Sequence, residues 1–259
     1  MRCIAAVWTY RHLIAHKSWA DFRAESQRTF LGIAWWLLDP VINVIIYYLC
    51  FGVFMNRAGG DYIPYLTTGI IAWMWFFSAL TTGASAIWNN AQVIRQVALP
   101  KIIFPVAQIA VCTYRFLFSL IVLFSILFLW GYRPDAYWLL LPLLMAVELL
   151  FIAGLTFVFA AFVPFVPDLA NFIQYAFRLI FFLSCVMYKL ESLSPNAQAW
   201  LRYNPIVYLL DAYRDVLMYH TLPNFAAIAA ISLFGLAGAA AGMLLIDRLG
   251  PIYAKRIVR

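Results

Sequence analysis

Six stretches of this chain are apolar almost without interruption: residues 33–55, 63–88, 102–130, 136–163, 169–188 and 225–246. None alternates apolar and polar positions with a period of two, so the pattern predicts helices rather than strands. Each is about as long as the roughly 20 residues a helix needs to cross a hydrocarbon layer of about 30 Å. In lipid the backbone must satisfy its own hydrogen bonds, which leaves helices or a closed barrel, and continuous apolar runs select helices. An even number of crossings returns both termini to one side. The flanks on that side carry eleven Lys and Arg, among them Arg2, Arg11, Lys17, Arg23, Arg28, Arg95 and Lys101, against five on the other. That excess predicts cytoplasmic termini.

Two further segments are patterned without being spans. In residues 1–27, Ile4, Trp8, Ala15, Trp19 and Phe22 recur at helical spacings, with most charged positions elsewhere. An apolar face carrying tryptophans, with a basic remainder, predicts a helix lying in the membrane interface. The segment 189–224 is too apolar for a solvated loop, and Asn204-Pro205 divides it. It reads as two short extracytoplasmic helices dipping into the outer leaflet, where non-helical backbone is tolerated if protein covers it. The expected fold is an all-α membrane protein of one domain, 1–259: interfacial helix, five spans, two re-entrant helices and a last span.

Composition agrees with lipid as the solvent. The chain is 66% hydrophobic and 11% charged, against about 45–50% and 25% in soluble domains. The net charge of +7 is explained by a basic cytoplasmic face, so no nucleic-acid partner is expected. Residues 1–28 are polar and mixed, and predict no removable signal peptide. Cys3, Cys50, Cys112 and Cys185 are widely spaced, with no pattern that would hold a metal, and read as small packing residues.

Ionisable groups inside apolar runs are costly and worth a hypothesis. Arg115, Glu148 and Arg178 are such groups, and an ion pair Arg115–Glu148 or Arg178–Glu148 is the expectation. Asp39, Pro40 and Asn43 interrupt the first run near its cytoplasmic end; the proline can kink the helix there and shape a channel mouth.

Four blocks carry a family resemblance. L-G-I-A-W-W-L-L-D-P (31–40), T-G-I-I-A-W-M-W-F-F-S-A-L (68–80), N-N-A-Q-V-I-R-Q-V-A-L-P-K-I-I-F-P (89–105) and N-P-I-V-Y-L-L-D-A-Y-R-D-V-L (204–217) resemble, in order, the signature stretches of ABC-2-type permeases that export polysaccharides and polyol phosphates. The resemblance implies a homodimer of six-span subunits with two copies of a separate cytoplasmic ATPase subunit, which would hold ATP and Mg; the chain itself has no G-x-x-x-x-G-K-[ST]. It implies ATPase coupling through Asn89, Asn90, Gln92, Val93, Ile94, Arg95 and Val97, with Val93, Ile94 and Val97 as anchors. A sugar polymer would pass aromatic residues on the first and fifth spans: Trp35, Tyr47, Tyr48, Phe51, Phe172 and Tyr175, with Arg178 facing the path. Arg23 and Arg28 would meet the diphosphate of a lipid-linked substrate, since arginine forks suit phosphate. Asn204, Pro205, Asp211 and Arg214 would shape an outer gate, Asp211 and Arg214 pairing at i,i+3.

Block 89–105 is nearer the O-antigen and teichoic acid branches, whereas F-F-L-S-C-V-M-Y (181–188) resembles capsule exporters. O-antigen is the favoured cargo, and the chain should be a transport subunit, not an enzyme. A membrane glycosyl- or acyltransferase would need clustered acid–base groups; His12, His16 and His220 are scattered, and Asp211 and Asp215 are a close acidic pair at i,i+4. A secondary transporter would show inverted repeats, and the sequence has none.

Overall fold

The computed structural model describes residues 2–27, 30–55, 59–97 and 99–256. Among these residues the chain is helical with no strand. Five helices are long and apolar enough to cross a membrane, which makes this a multi-pass membrane protein.

The N-terminal region is a pair, α1 (Arg2–Thr9) and α2 (Arg11–Gln27). Of the stripe expected to face the membrane, Phe22 instead turns into the bundle. Ile14, Ser18 and Phe22, four residues apart, are buried on α2, whereas Trp8 and Trp19 are exposed. Ile14 packs on Ile103 and Ala107, and the Phe22 ring stacks 4.0 Å from that of Trp36. The pair is thus bound to the bundle through the Ile14–Ser18–Phe22 face, while Leu13 and Trp19 stay exposed.

The first span, α3 (Ala34–Tyr47), contains Pro40 and passes into a π-helical turn over Tyr48–Phe54. Proline removes one backbone donor from the ladder. The Asn43 carboxamide braces the weakened turn, donating to the Asp39 carbonyl at 2.8 Å and to the Asp39 carboxylate at 3.1 Å. The next helix, α4 (Tyr62–Ala84), is the hub, buried on most of its surface and packed on α3 and later helices. Its buried Thr67 and Thr68 hydroxyls donate to carbonyls four residues back at 2.7 and 2.9 Å, so they cost the core no unpaired polar group. Two short helices, α5 (Ala86–Asn89) and α6 (Ala91–Gln96), lead to α7 (Ile103–Leu129). A 3-10 turn, Ala136–Leu140, opens α8 (Leu141–Phe162), and α9 (Asp168–Phe182) follows. Then come α10 (Pro195–Leu201), α11 (Pro205–Arg214) with a π-helical extension Asp215–Tyr219, and α12 (Phe225–Arg256).

The fifth apolar run does not form one helix over 169–188. It stops at Phe182, and the 15 residues of α9 measure about 22 Å. Yet α9 joins opposite ends of the bundle. Its start follows Phe165, whose ring lies 5.3 Å from that of Tyr253 on α12. The segment after it meets Tyr62 and Tyr65 at the start of α4. The Cys3 thiol donates to Asp247 near the end of α12 at 3.0 Å, which brings both ends of the chain to one end of the bundle. Trp130 donates to the Gly60 carbonyl at 3.0 Å at the other.

The closest helix pair is α8 with α12, where small residues let the backbones touch. A Cβ on Gly154 would sit 2.5 Å from the Gly235 carbonyl oxygen, and one on Gly242 2.6 Å from backbone atoms of α8. A Cβ on Gly235 would sit 2.9 Å from the Leu150 backbone. Gly235→Leu should therefore separate the pair and abolish monodisperse, heat-stable protein in detergent, read by fluorescence-detected size exclusion. Gly59→Ala, with open space around its Cβ, should behave as wild type.

Candidate functional site: a clamp and a lateral groove

At the end of the bundle remote from the termini, the non-helical turn 183–188 exposes backbone carbonyls that a helix would have used. Cys185 stands there with φ 53°, a left-handed conformation that costs a non-glycine residue free energy and needs support from its surroundings. Side chains from two distant blocks supply it. Asn204 donates at 3.0 Å to the Leu183 carbonyl and to the Ser184 hydroxyl, while its own oxygen caps the Ile206 N–H. Arg214 donates from one nitrogen to the Cys185 and Val186 carbonyls, both at 3.1 Å. Tyr62 reaches the Met187 carbonyl at 2.9 Å, and Tyr65 those of Cys185 and Tyr188 at 3.2 and 2.9 Å. The turn closes on itself where the Tyr188 hydroxyl donates to the Phe182 carbonyl.

Arg214 is 1% exposed. Its charge is met by Asp211 at 3.1 Å, the expected i,i+3 pair, and by the face of Tyr65, whose centroid lies 3.6 Å from the guanidinium. The space for it exists because residue 69 is glycine; a Cβ there would sit 2.6 Å from an Arg214 nitrogen. The next residue back, Tyr213, donates to the buried Glu148 carboxylate of α8 at 2.6 Å. So α11 is fixed to α4, to the turn after α9 and to α8 at once. The two short helices meet at Asn204-Pro205 as the sequence suggests, and Asn204, Pro205, Asp211 and Arg214, expected to shape a gate, all fall on α11 or its cap.

The expected intramembrane ion pairs are not made. Glu148 is satisfied by Tyr213, and Arg115 pairs with Glu25 of α2, because α2 lies against α7 where a carboxylate can reach it. Arg178 is exposed and stands over the Tyr175 ring at 5.8 Å.

Along the other face, α3 and α9 leave a groove over α4. A cavity of about 490 Å³ there is lined by Asp39, Asn43, Tyr47, Trp73, Arg178 and Phe181 among others. The rings of Tyr47 and Trp73 meet Phe181 at 5.2 and 5.3 Å. Of the expected path residues, Tyr47 and Arg178 share this groove. Phe172 and Tyr175 project outward from α9, 67% and 69% exposed. Phe51 lies beside Tyr47, and Tyr48 packs on Tyr62 towards the end remote from the termini. Trp35 lines a separate cavity of about 300 Å³ with Trp36, Trp75 and Phe116. The two cavities share Asp39, Met74 and Ser78 as walls.

The predicted coupling segment forms α5 and α6. Asn89, Gln92, Val93, Arg95 and Val97 are exposed, and Asn90 donates to the Ala86 carbonyl at 2.8 Å. Ile94 differs from its expected role as a partner-facing anchor: it is buried in the core and holds α6 to the bundle. Arg23 is exposed on α2, and Arg28 lies outside the described residues. Tyr62, Tyr65, Tyr213 and Glu25 were not anticipated; the spacing Y-x-x-Y, which puts both phenols on one helix face, was the available signal for the first two.

Residues 13–218 match the ABC-2 type transporter family. The chain belongs to that family. This ABC-2 permease is 26% identical over 237 residues to an "O-antigen export system permease protein RfbA" of Klebsiella pneumoniae, covering 91% of each chain. A protein of the same name from Myxococcus xanthus is 26% identical, over 90% of this chain and 91% of that one. "Polysialic acid transport protein KpsM" of Escherichia coli is 22% identical over 83% of this permease and 85% of that protein. The matched region of the permease runs from α2 through the clamp.

Asp215, in the π-helical extension beyond the membrane-length helices, is pushed up to about 6, first by burial and then by the Asp211 carboxylate. Its ordinary value is 3.8, so the folded state binds the proton more tightly than the unfolded one. Stability should fall as pH rises from about 4 to about 6 and stay lower above it. Asp215→Asn removes that loss. In detergent it should melt a few degrees higher than wild type at neutral pH and at the same temperature as wild type near the acid limit.

Proposed function

We propose that this permease is the channel-forming subunit of an ATP-driven exporter that carries a lipid-linked polysaccharide of the O-antigen type across the bacterial inner membrane. The observation that carries the reading is the groove over α4 between α3 and α9. It combines aromatic rings, a phenol, an amide and an arginine on a face that is left open in a single chain. Aromatic faces accept the C–H surfaces of sugars, while phenols and amides bond their hydroxyls. The exposed outer sides of α3 and α9, including Phe172 and Tyr175, suit closure of this groove by a second copy related by two-fold symmetry. The names of the relatives support O-antigen as cargo. A capsular polymer is the second reading, favoured by the match to the polysialic acid transport protein, and teichoic acid is a further branch of it.

Energy comes from two copies of a cytoplasmic ATPase subunit, which hold the ATP and Mg. The exposed residues of α5 and α6, with Trp88 and Val93 among them, form its docking surface, and α5–α6 move with α4 and α7 as one rigid unit. Both termini face the cytoplasm, six passes cross the membrane with α9 as the fifth, and α10–α11 dip into the outer leaflet as the gate. Arg23 and Arg28 receive the diphosphate of the lipid carrier.

Co-expression with the ATPase gene of the same cluster, in cells that make the polymer but lack their own exporter, tests the reading. Surface polymer should appear only when both proteins are present. Arg23→Gln with Arg28→Gln should cut export several-fold while leaving membrane insertion and ATPase co-purification intact. Polymer at the surface without this chain would contradict the assignment.

A further inference from the structure

At the end of the bundle that carries the termini, α2, α4, α7 and α9 enclose a cavity of about 470 Å³ whose walls are polar in an otherwise apolar protein. Hydroxyls of Thr81, Thr82 and Ser85 line it, but these are already turned to backbone carbonyls of their own helix at 2.7–3.3 Å. Three amides are different. Asn89, Gln108 and Gln174, from α5, α7 and α9, all face this cavity, and none has a side-chain hydrogen bond among the described residues. A free amide offers donors and an acceptor in one plane; Gln108 is half-buried, and Asn89 and Gln174 stand exposed at the rim, so all three are open to an entering ligand.

The charges in the cavity select what that is. Lys17 is paired with Asp21 at 2.9 Å, and Arg115 with Glu25. Among the described residues the lining is therefore neutralised in pairs, with no cation left over for an oxyanion. Neutral walls rich in planar donor–acceptor groups suit a neutral, hydroxyl-rich ligand, whose adjacent hydroxyls bond an amide through both of its ends. The volume falls within the range of small-ligand sites. The Glu25–Arg115 pair also lines the tryptophan cavity next to it, which in turn shares walls with the α3–α9 groove. The polar cavity is thus the first of three adjoining spaces that end at the groove.

We propose that this cavity is a saccharide-binding site that holds an uncharged sugar segment of the cargo at the cytoplasmic end before it reaches the groove. The inference rests on the exporter reading above and adds where, and by which residues, the sugar is recognised.

The test uses the native polymer as its probe. Gln108→Cys and Gln174→Cys are made separately with Cys50→Ser, and the ATPase complex is kept intact in inside-out vesicles. Vesicles come from polymer-making cells and from cells blocked in polymer synthesis, and a membrane-impermeant maleimide reports access. Labelling at both positions should fall several-fold when polymer is present, while His16→Cys, on the same helical pair but outside the cavity, labels equally in both. Gln108→Leu with Gln174→Leu should reduce export several-fold with the ATPase activity of the complex unchanged. Equal labelling with and without polymer, while the wild type exports, overturns the site alone, as does protection that extends to the His16 control. Absence of export by the wild type overturns the exporter reading instead, and the site with it.

Discussion

Arg214 holds together the end of this molecule that lies remote from the termini. A guanidinium buried to this degree pays a desolvation cost that only close, well-directed partners offset. Here they are one carboxylate, two backbone carbonyls and the face of Tyr65. Each partner belongs to a different structural need. The carbonyls are those that the chain frees when α9 stops at Phe182, the ring belongs to α4, and the carboxylate keeps α11 in register. Taking any one away would leave the others short of a partner in a low-dielectric setting. The position of α9, and with it one wall of the groove over α4, depends on this contact.

That dependence explains why three blocks far apart in sequence belong to one site. Gly69 leaves the room that Arg214 fills. Residues 183–188 supply the carbonyls, and Asn204 to Arg214 supply the donors. The termini-bearing end is built on another principle. There the helix pair α1–α2 is attached by a few apolar contacts and by Glu25–Arg115, and polar side chains gather around water-accessible space. One end is therefore pinned by buried, mutually dependent bonds, whereas polar side chains line a cavity at the other.

Much of the fold was legible because lipid imposes a simple rule. Apolar runs of the right length become helices, and five of the six did so nearly at the expected bounds. The sixth failed at its end for a reason no hydropathy pattern contains: the last residues of 169–188 are apolar, yet their backbone bonds go to side chains from 62–65 and 204–214 instead of to their own helix. Asn204-Pro205 and the Asp211–Arg214 pair were readable, since both rest on local spacing. The partners of Arg115 and Glu148 were not. A charge in a span advertises that it needs a partner, and the sequence offered only other span charges as candidates. The real ones, Glu25 on the N-terminal helix α2 and the neutral phenol of Tyr213, are set by which helices pack together. Ile94 was misplaced for a similar reason, since an apolar residue on a short surface helix looks the same whether it faces a partner or its own core.

Amide hydrogen exchange in the intact permease, wild type against Arg214→Lys, tests the central claim most directly. Lysine keeps the charge but has a single nitrogen where Arg214 uses two, one for Asp211 and one for the Cys185 and Val186 carbonyls, and it has no planar group to stack on Tyr65. The account requires amides in 183–188 and the last turn of α9 to lose protection in the variant, with the α8–α12 pair unchanged. Equal protection of 183–188 in both proteins would show that the end of α9 is held by something other than Arg214.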